Sequence, residues 1–331
     1  MKFPRITARG AWCAAASLMT LLWAGAAWTQ VLGDYELYIL DMKSGEVTRV
    51  TDMPDYGLFN ASFSHNGKML YHDAVIFDPN IGFNISYLAT TELETGETTV
   101  NTNVIVNNPK ESPNGQQVVY DTFFNLPYPD WNIYLLPVEG GDRQLLRAFG
   151  GSPQWNNNSK RIAFADVGFV DSYPDWGYMA TIDLEGNEIR LDTVGAYGCG
   201  LDYSPDGKLI VYQQGDPVTF GGCFWPEPAP LMAVPVNQHG EPLGDPYAIT
   251  DGMYFDNWPS ISNDGKYVVF NSNRSTTGRV PDEQDLWIVP MDGSGQPTKL
   301  YGLDYVDELD ASFSRNGRYI VFSSNRDAVM P

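Results

Sequence analysis

From Asp34 onward, short apolar runs alternate with polar turns, and six segments repeat one pattern. Each passes from small or polar residues through an aromatic or apolar position to a polar turn ending in Gly, then into a second apolar run. The copies are Asn60–Asp73, Pro109–Asp121, Ser152–Ala165, Leu201–Gln213, Trp258–Asn271 and Asp310–Ser323. Their turn glycines are Gly67, Gly115, Gly207, Gly265 and Gly317, with Ser159 in that place in the third copy, so successive turns lie 48, 44, 48, 58 and 52 residues apart. Asn-Gly or Asp-Gly between two short apolar runs predicts a hairpin, because both residues tolerate positive φ. The runs that follow, such as Val118-Val119-Tyr120 and Val268-Val269-Phe270, are β-branched and aromatic, as strands buried on both faces should be.

Each hairpin has a companion strand pair. Glu36–Val47, Asn132–Arg143 and Asp285–Pro297 show it clearly; Ser86–Val100, Tyr178–Leu191 and Leu231–Thr250 are weaker versions. The chain opens on an outer pair and ends on an inner hairpin, so pairing the two ends completes a sixth unit. Six four-stranded units of about fifty residues predict an all-β fold, a six-bladed β-propeller of four-stranded antiparallel blades. Its last blade is closed by the N- and C-terminal strands.

Ser-Pro-Asp-Gly-Lys at 204–208, Ser-Asn-Asp-Gly-Lys at 262–266 and Ser-Asn-Arg at 272–274 and 324–326 resemble the WD-like repeats of the TolB-type propeller family. The resemblance covers essentially the whole chain after residue 26 and implies the propeller fold. It implies no single function, because this repeat carries many roles. TolB itself has an α/β domain before its propeller; residues 27–34 leave no room for one, so the expectation is a propeller alone over 27–331.

Residues 1–26 read separately, as a signal peptide. Lys2, Arg5 and Arg9 precede an apolar run from Ala14 to Ala27, and Ala24-Gly25-Ala26 supplies a cleavage site. The expected location is exported, periplasmic or extracellular, with no integral membrane segment after cleavage. Without that segment, 17 bases face 41 acids, a net charge of −24. Such a surface repels phosphate backbones and argues against a nucleic-acid partner. Cys199 and Cys223 remain as a candidate disulfide, flanking one inner hairpin.

Turns inside each strand pair belong on one face; the longer connections between pairs and between blades belong on the other. Long loops on a rigid scaffold are where binding usually sits. The candidate ligand face therefore carries Tyr128, Asp130 and Trp131, the matching Tyr173, Asp175 and Trp176, and Trp225, Asp256, Trp258 and Asp310. Aromatic planes beside carboxylates suit sugars or peptides. In register, Asn60, Asn108, Ser152, Gly200, Trp258 and Asp310 should line the mouth of a central channel.

Catalytic signals are sparse. His65, His72 and His239 are the only histidines, and only His72 falls near the long-loop side. A zinc set cannot be assembled, and no Gly-x-Ser-x-Gly elbow occurs. Calcium on scattered loop carboxylates has no motif behind it. The leading expectation is a non-catalytic exported propeller binding a protein, peptide or carbohydrate on its long-loop face, without a cofactor. The alternatives are a carbohydrate-active enzyme, of glycosidase or lyase type, using channel-mouth carboxylates, and a structural subunit of a cell-envelope complex.

Overall fold

The computed structural model describes residues 34–329 except 81, 123–131, 171–172, 192–196, 216–227 and 275–282, and only the backbone of 167–170, 173–177, 197–199 and 328–329. The strands form six four-stranded antiparallel sheets. The innermost strands are Gly57–Phe63, Asn107–Glu111, Gly150–Trp155, Tyr197–Tyr203, Asp256–Ile261 and Glu308–Phe313, and they number blades 1 to 6. Each pairs with a second strand: Met69–Asp78, Gln117–Asp121, Arg161–Val170, Leu209–Gln214, Tyr267–Ser272 or Tyr319–Ser324. First strands of successive blades touch around the ring, which closes a propeller.

Blade 6 joins the two ends of the chain. Its order is Val47–Arg49, Glu36–Asp41, Tyr319–Ser324, Glu308–Phe313, with Glu36 opposite Ser324 and Asp41 opposite Tyr319. The arrangement is the one the order of strand pairs predicts.

The inner turn is built by its side chains. In blade 1 the Gly67 amide donates to the Ser64 carbonyl (2.9 Å), and the Met69 amide donates to Ser64 Oγ (3.0 Å). Ser64 Oγ in turn donates to Asn66 Oδ1 (2.9 Å), which also accepts from the Lys68 amide (2.9 Å). Ser112, Ser204, Ser262 and Ser314 repeat the arrangement, and Asn156 replaces the serine in blade 3. Only the fourth turn residue is left-handed: Gly67 has φ 68° and Ser159 has φ 60°. The Asn or Asp before the glycine is therefore selected for its side-chain hydrogen bonds rather than for positive φ. It marks a four-residue loop built on a type I turn.

A ring of fully buried side chains fills the second strands: Tyr120, Phe164, Tyr212, Phe270 and Phe322. Each contributes about 1.5–3 kcal/mol by burial. The equivalent position in blade 1 is His72, also 0% exposed, with Nε2 2.9 Å from Thr91 Oγ1 and Nδ1 3.2 Å from the Asp73 carbonyl. Burial lowers its pKa to about 4. His72 is a core residue, and the strand continues past it to Asp78, so it is not placed for chemistry at a loop.

Among the described residues two hairpins extend beyond their sheets. Met69–Asp78 pairs with Phe83–Glu92 as far as Asp78 opposite Phe83, and Arg161–Val170 pairs with Tyr173–Asp183 as far as Val170 opposite Tyr173. Tyr173, Asp175 and Trp176 are thus strand residues on a projecting arm, where a loop is expected. Pro174 fits there because the arm lies outside the four-stranded part of the blade.

Candidate functional site

Each innermost strand is interrupted by a register shift at equivalent positions, for example between Phe59 and Ser62 and between Asn257 and Ser260. At the shift one residue turns left-handed: Asn60 (55°), Asn108 (54°), Ser152 (51°), Gly200 (69°), Trp258 (48°) and Asp310 (56°). These are the six residues expected at the channel mouth. Asn and Asp adopt this conformation readily, whereas a bulky residue such as Trp258 does so only when its surroundings hold it.

Carboxylates from the second strands help to fix the ring. The Ser152 amide donates to Asp121 Oδ2 (2.8 Å), which also accepts from Asn108 Nδ2 (3.3 Å). In blade 1 Asn60 Nδ2 donates to Asp73 Oδ2 (2.6 Å), and the Asn60 amide donates to Asp310 Oδ2 (3.4 Å). Burial, with Asp121 and Asp310 nearby, holds the Asp73 carboxyl well above the usual range. Each bond crosses from one blade to the next or ties two strands of one blade, so these acids hold the ring together. The ring narrows the channel to a cavity of about 40 Å³, lined by Asn60, Asn108, Ser152, Trp258 and Asp310.

Two residues further along each strand lies a second ring: Ser62, Lys110, Gln154, Asp202, Ser260 and Ser312. It borders a wider cavity of about 450 Å³ that opens on the short-turn face. Lys110 is the cation of this ring and Asp202 its anion. Asp202 Oδ2 accepts from the Ile261 amide (2.8 Å), yet burial still raises its pKa to about 6. Burial likewise raises Asp310 to about 6 and pushes the Lys110 ammonium down. Sequence reasoning does not single out Lys110, although the repeat register, two residues past the mouth ring, identifies it.

On the opposite, long-connection face, Asp256 departs from expectation. It is fully buried, accepts from Ser272 Oγ (2.6 Å) and pairs with Arg274, whose guanidinium lies 4.7 Å from the Tyr254 ring centre. It is a blade-internal ion pair and does not face a ligand. The Ser-Asn-Arg motif explains this: Asn273 Oδ1 takes the Phe255 amide (3.0 Å) and Asn325 Oδ1 takes the Asp307 amide (3.0 Å), pinning the incoming connections. Arg326 stands 3.8 Å from buried Glu308 in the matching place. Tyr128, Asp130, Trp131, Trp225 and Cys223 lie outside the described residues, as do the side chains of Tyr173, Asp175, Trp176 and Cys199.

The described part of this face exposes Phe149, Met253, Tyr254 and Tyr305. Phe149 and Tyr305 are left-handed, at φ 57° and 66°. The Phe149 amide donates to Asn132 Oδ1 (3.2 Å), and the Tyr305 amide donates to Glu283 Oε1 (3.0 Å). Exposed Asp52, Asp55, Asp251 and Asp304 stand among the same connections. Among the described residues no three His, Cys, Asp or Glu side chains gather into a metal-holding group, and no helix is long and apolar enough to cross a membrane.

A closed ring of six four-stranded blades around a constricted polar channel defines the class, a six-bladed β-propeller. Solved structures agree. A chain assigned as TolB from Agrobacterium tumefaciens matches at TM-score 0.64 and 22% identity, over 87% of this chain and 97% of that one. TolB of Acinetobacter baumannii matches at 0.55 and 14%, over 88% of this chain, which spans 63% of that protein's length. A chain of a nidogen/laminin complex matches at 0.53 and 12%, over 79% and 91%. At these identities the likeness shows the fold. No protein-family profile matches the chain.

Proposed function

We propose that the protein is an exported, non-catalytic propeller that binds a protein partner on its long-connection face. The observation that carries this reading is the pair of exposed aromatics held left-handed, Phe149 and Tyr305. Such a conformation costs an L-residue about 1–2 kcal/mol, and Tyr305, 56% exposed, regains little of that cost by burial within this chain. The two lie three blades apart, on opposite sides of the channel mouth, with Met253 and Tyr254 on the arc between them. The exposed acids around them suit a partner whose surface combines apolar and basic groups. The structures most like it include TolB chains and a chain from a protein–protein complex, which supports a binding role for this fold.

The test is capture from the native host with the mature chain and with a Phe149→Ala, Tyr305→Ala double variant. A partner retained stoichiometrically by the first and lost by the second, with unfolding midpoints unchanged, is expected. A partner held equally by both removes the assignment to this face. Fractionation of the tagged full-length chain checks export: a product of unshortened mass in the cytoplasm contradicts it.

A further inference from the structure

We propose that the wide, short-turn end of the central channel is a second binding site, for a small organic carboxylate or a polypeptide C-terminus, held by Lys110 and Arg315. The bases of this acidic chain are mostly engaged: Arg49, Arg147, Arg161, Arg274, Lys299, Arg318 and Arg326 all make ion pairs. Lys110 and Arg315 make none among the described residues, and neither side chain donates a hydrogen bond there; both border the cavity of about 450 Å³. That volume falls within the range of small-ligand sites, about 300–1,000 Å³.

The acids near these cations already have donors. Asp202 holds the Ile261 amide, and Glu111 takes the His65 amide. Lys110 and Arg315 thus share the lining with Glu111 and Asp202, so the cavity is balanced in charge although the chain as a whole is strongly negative, and its two cations keep their hydrogen-bond donors free among the described residues. Lys110 also lines the 40 Å³ constriction, so it stands at the floor, while exposed Arg315 stands at the rim. A ligand entering from this face meets the constriction, with the Lys110 ammonium at its edge and in no ion pair among the described residues. Phe63 and Phe313 line the wall and offer contact to an apolar body, and Gln154 offers hydrogen bonds. The carboxylates of Asp202 and, behind the floor, Asp310 and Asp73 disfavour a dianion. A monoanionic carboxylate on an apolar or aromatic residue fits this set, and a phosphate dianion does not.

The experiment is calorimetric titration of the mature protein at pH 7 with acetyl-alanyl-phenylalanine, its C-terminal amide, 3-phenylpropionate and inorganic phosphate. Binding of the free acid but not the amide is expected. Equal binding of 3-phenylpropionate assigns the site to small acids, and its failure assigns it to a peptide terminus. Lys110→Met should weaken the acid about tenfold or more, the effect of losing a charged hydrogen bond. Arg315→Ala should weaken it severalfold, and Lys68→Met, an exposed turn lysine on the same face, should leave it unchanged. Arg315→Ala carries the test alone if Lys110→Met does not fold. No binding of either acid, equal binding of acid and amide, tighter binding of phosphate, or full binding by the folded Lys110 and Arg315 variants overturns the proposal. These probes do not involve the long-connection face, so the result is independent of the partner proposed there.

Discussion

Gly200 is the one glycine of the channel-mouth ring, and the neighbouring blade explains it. A Cβ built there would lie 2.7 Å from Trp258 Cα and 3.1 Å from Trp258 N, against backbone that cannot swing aside. Gly200→Ala therefore adds two costs. The left-handed conformation costs an L-residue about 1–2 kcal/mol, and forcing a methyl into occupied space costs about 1–3 kcal/mol more. The sum is about 2–5 kcal/mol. For a chain of this size about 1 kcal/mol moves the midpoint by roughly 2 °C, so a fall of about 4–10 °C is expected. The assay is thermal unfolding of the purified protein, with urea unfolding to separate a change in midpoint from a change in cooperativity. Ser152→Gly supplies the opposite sign. It keeps the amide bonded to Asp121 and relieves a left-handed serine, so it should stay within about 1 kcal/mol of wild type. A Gly200→Ala protein as stable as wild type, or a Ser152→Gly protein equally damaged, refutes the account of the ring.

Two further outcomes follow from buried charge. Arg274→Ala leaves Asp256 uncompensated in the core and should cost about 3–5 kcal/mol in urea unfolding; a double variant with Asp256→Asn should lose less than the two single losses together. Asp202 has a folded pKa of about 6, above its unfolded value of 3.8, so the native state takes up its proton first. Its contribution must grow as pH falls from about 6 to 4 and shrink as pH rises through that window. The midpoint of wild type relative to that of Asp202→Asn should therefore rise as pH falls from about 6 to 4, and parallel midpoint–pH curves would exclude it.

The ring architecture was legible because the turn chemistry is local. Ser, Asn or Asp, and Gly occupy fixed places within six residues, and their recurrence fixes blade number, closure and the six mouth residues. The projecting arms were not legible, because Tyr173–Trp176 lacks apolar alternation and contains Pro174; a two-stranded arm outside the blade tolerates both. Asp256 reads as a face residue in sequence because its role depends on Arg274 eighteen residues later, a pairing that only the folded blade brings about. His72 reads as a lone histidine in sequence and as a sixth core aromatic only once the blades are superimposed. Lys110 is inconspicuous in sequence for a related reason: that it makes no ion pair among the described residues becomes visible only when the opposing blades are in place.

The joint in blade 6 has a mechanical consequence. Glu36 and Ser324 form the terminal rung of an antiparallel ladder, and both chain ends leave from that rung. Tension between the ends therefore acts on one rung at a time and peels the ladder, rather than loading all of its hydrogen bonds together in shear. Six packed blades share the load of global unfolding, yet against a pull on its two ends the ring is a zipper with the slider at Glu36.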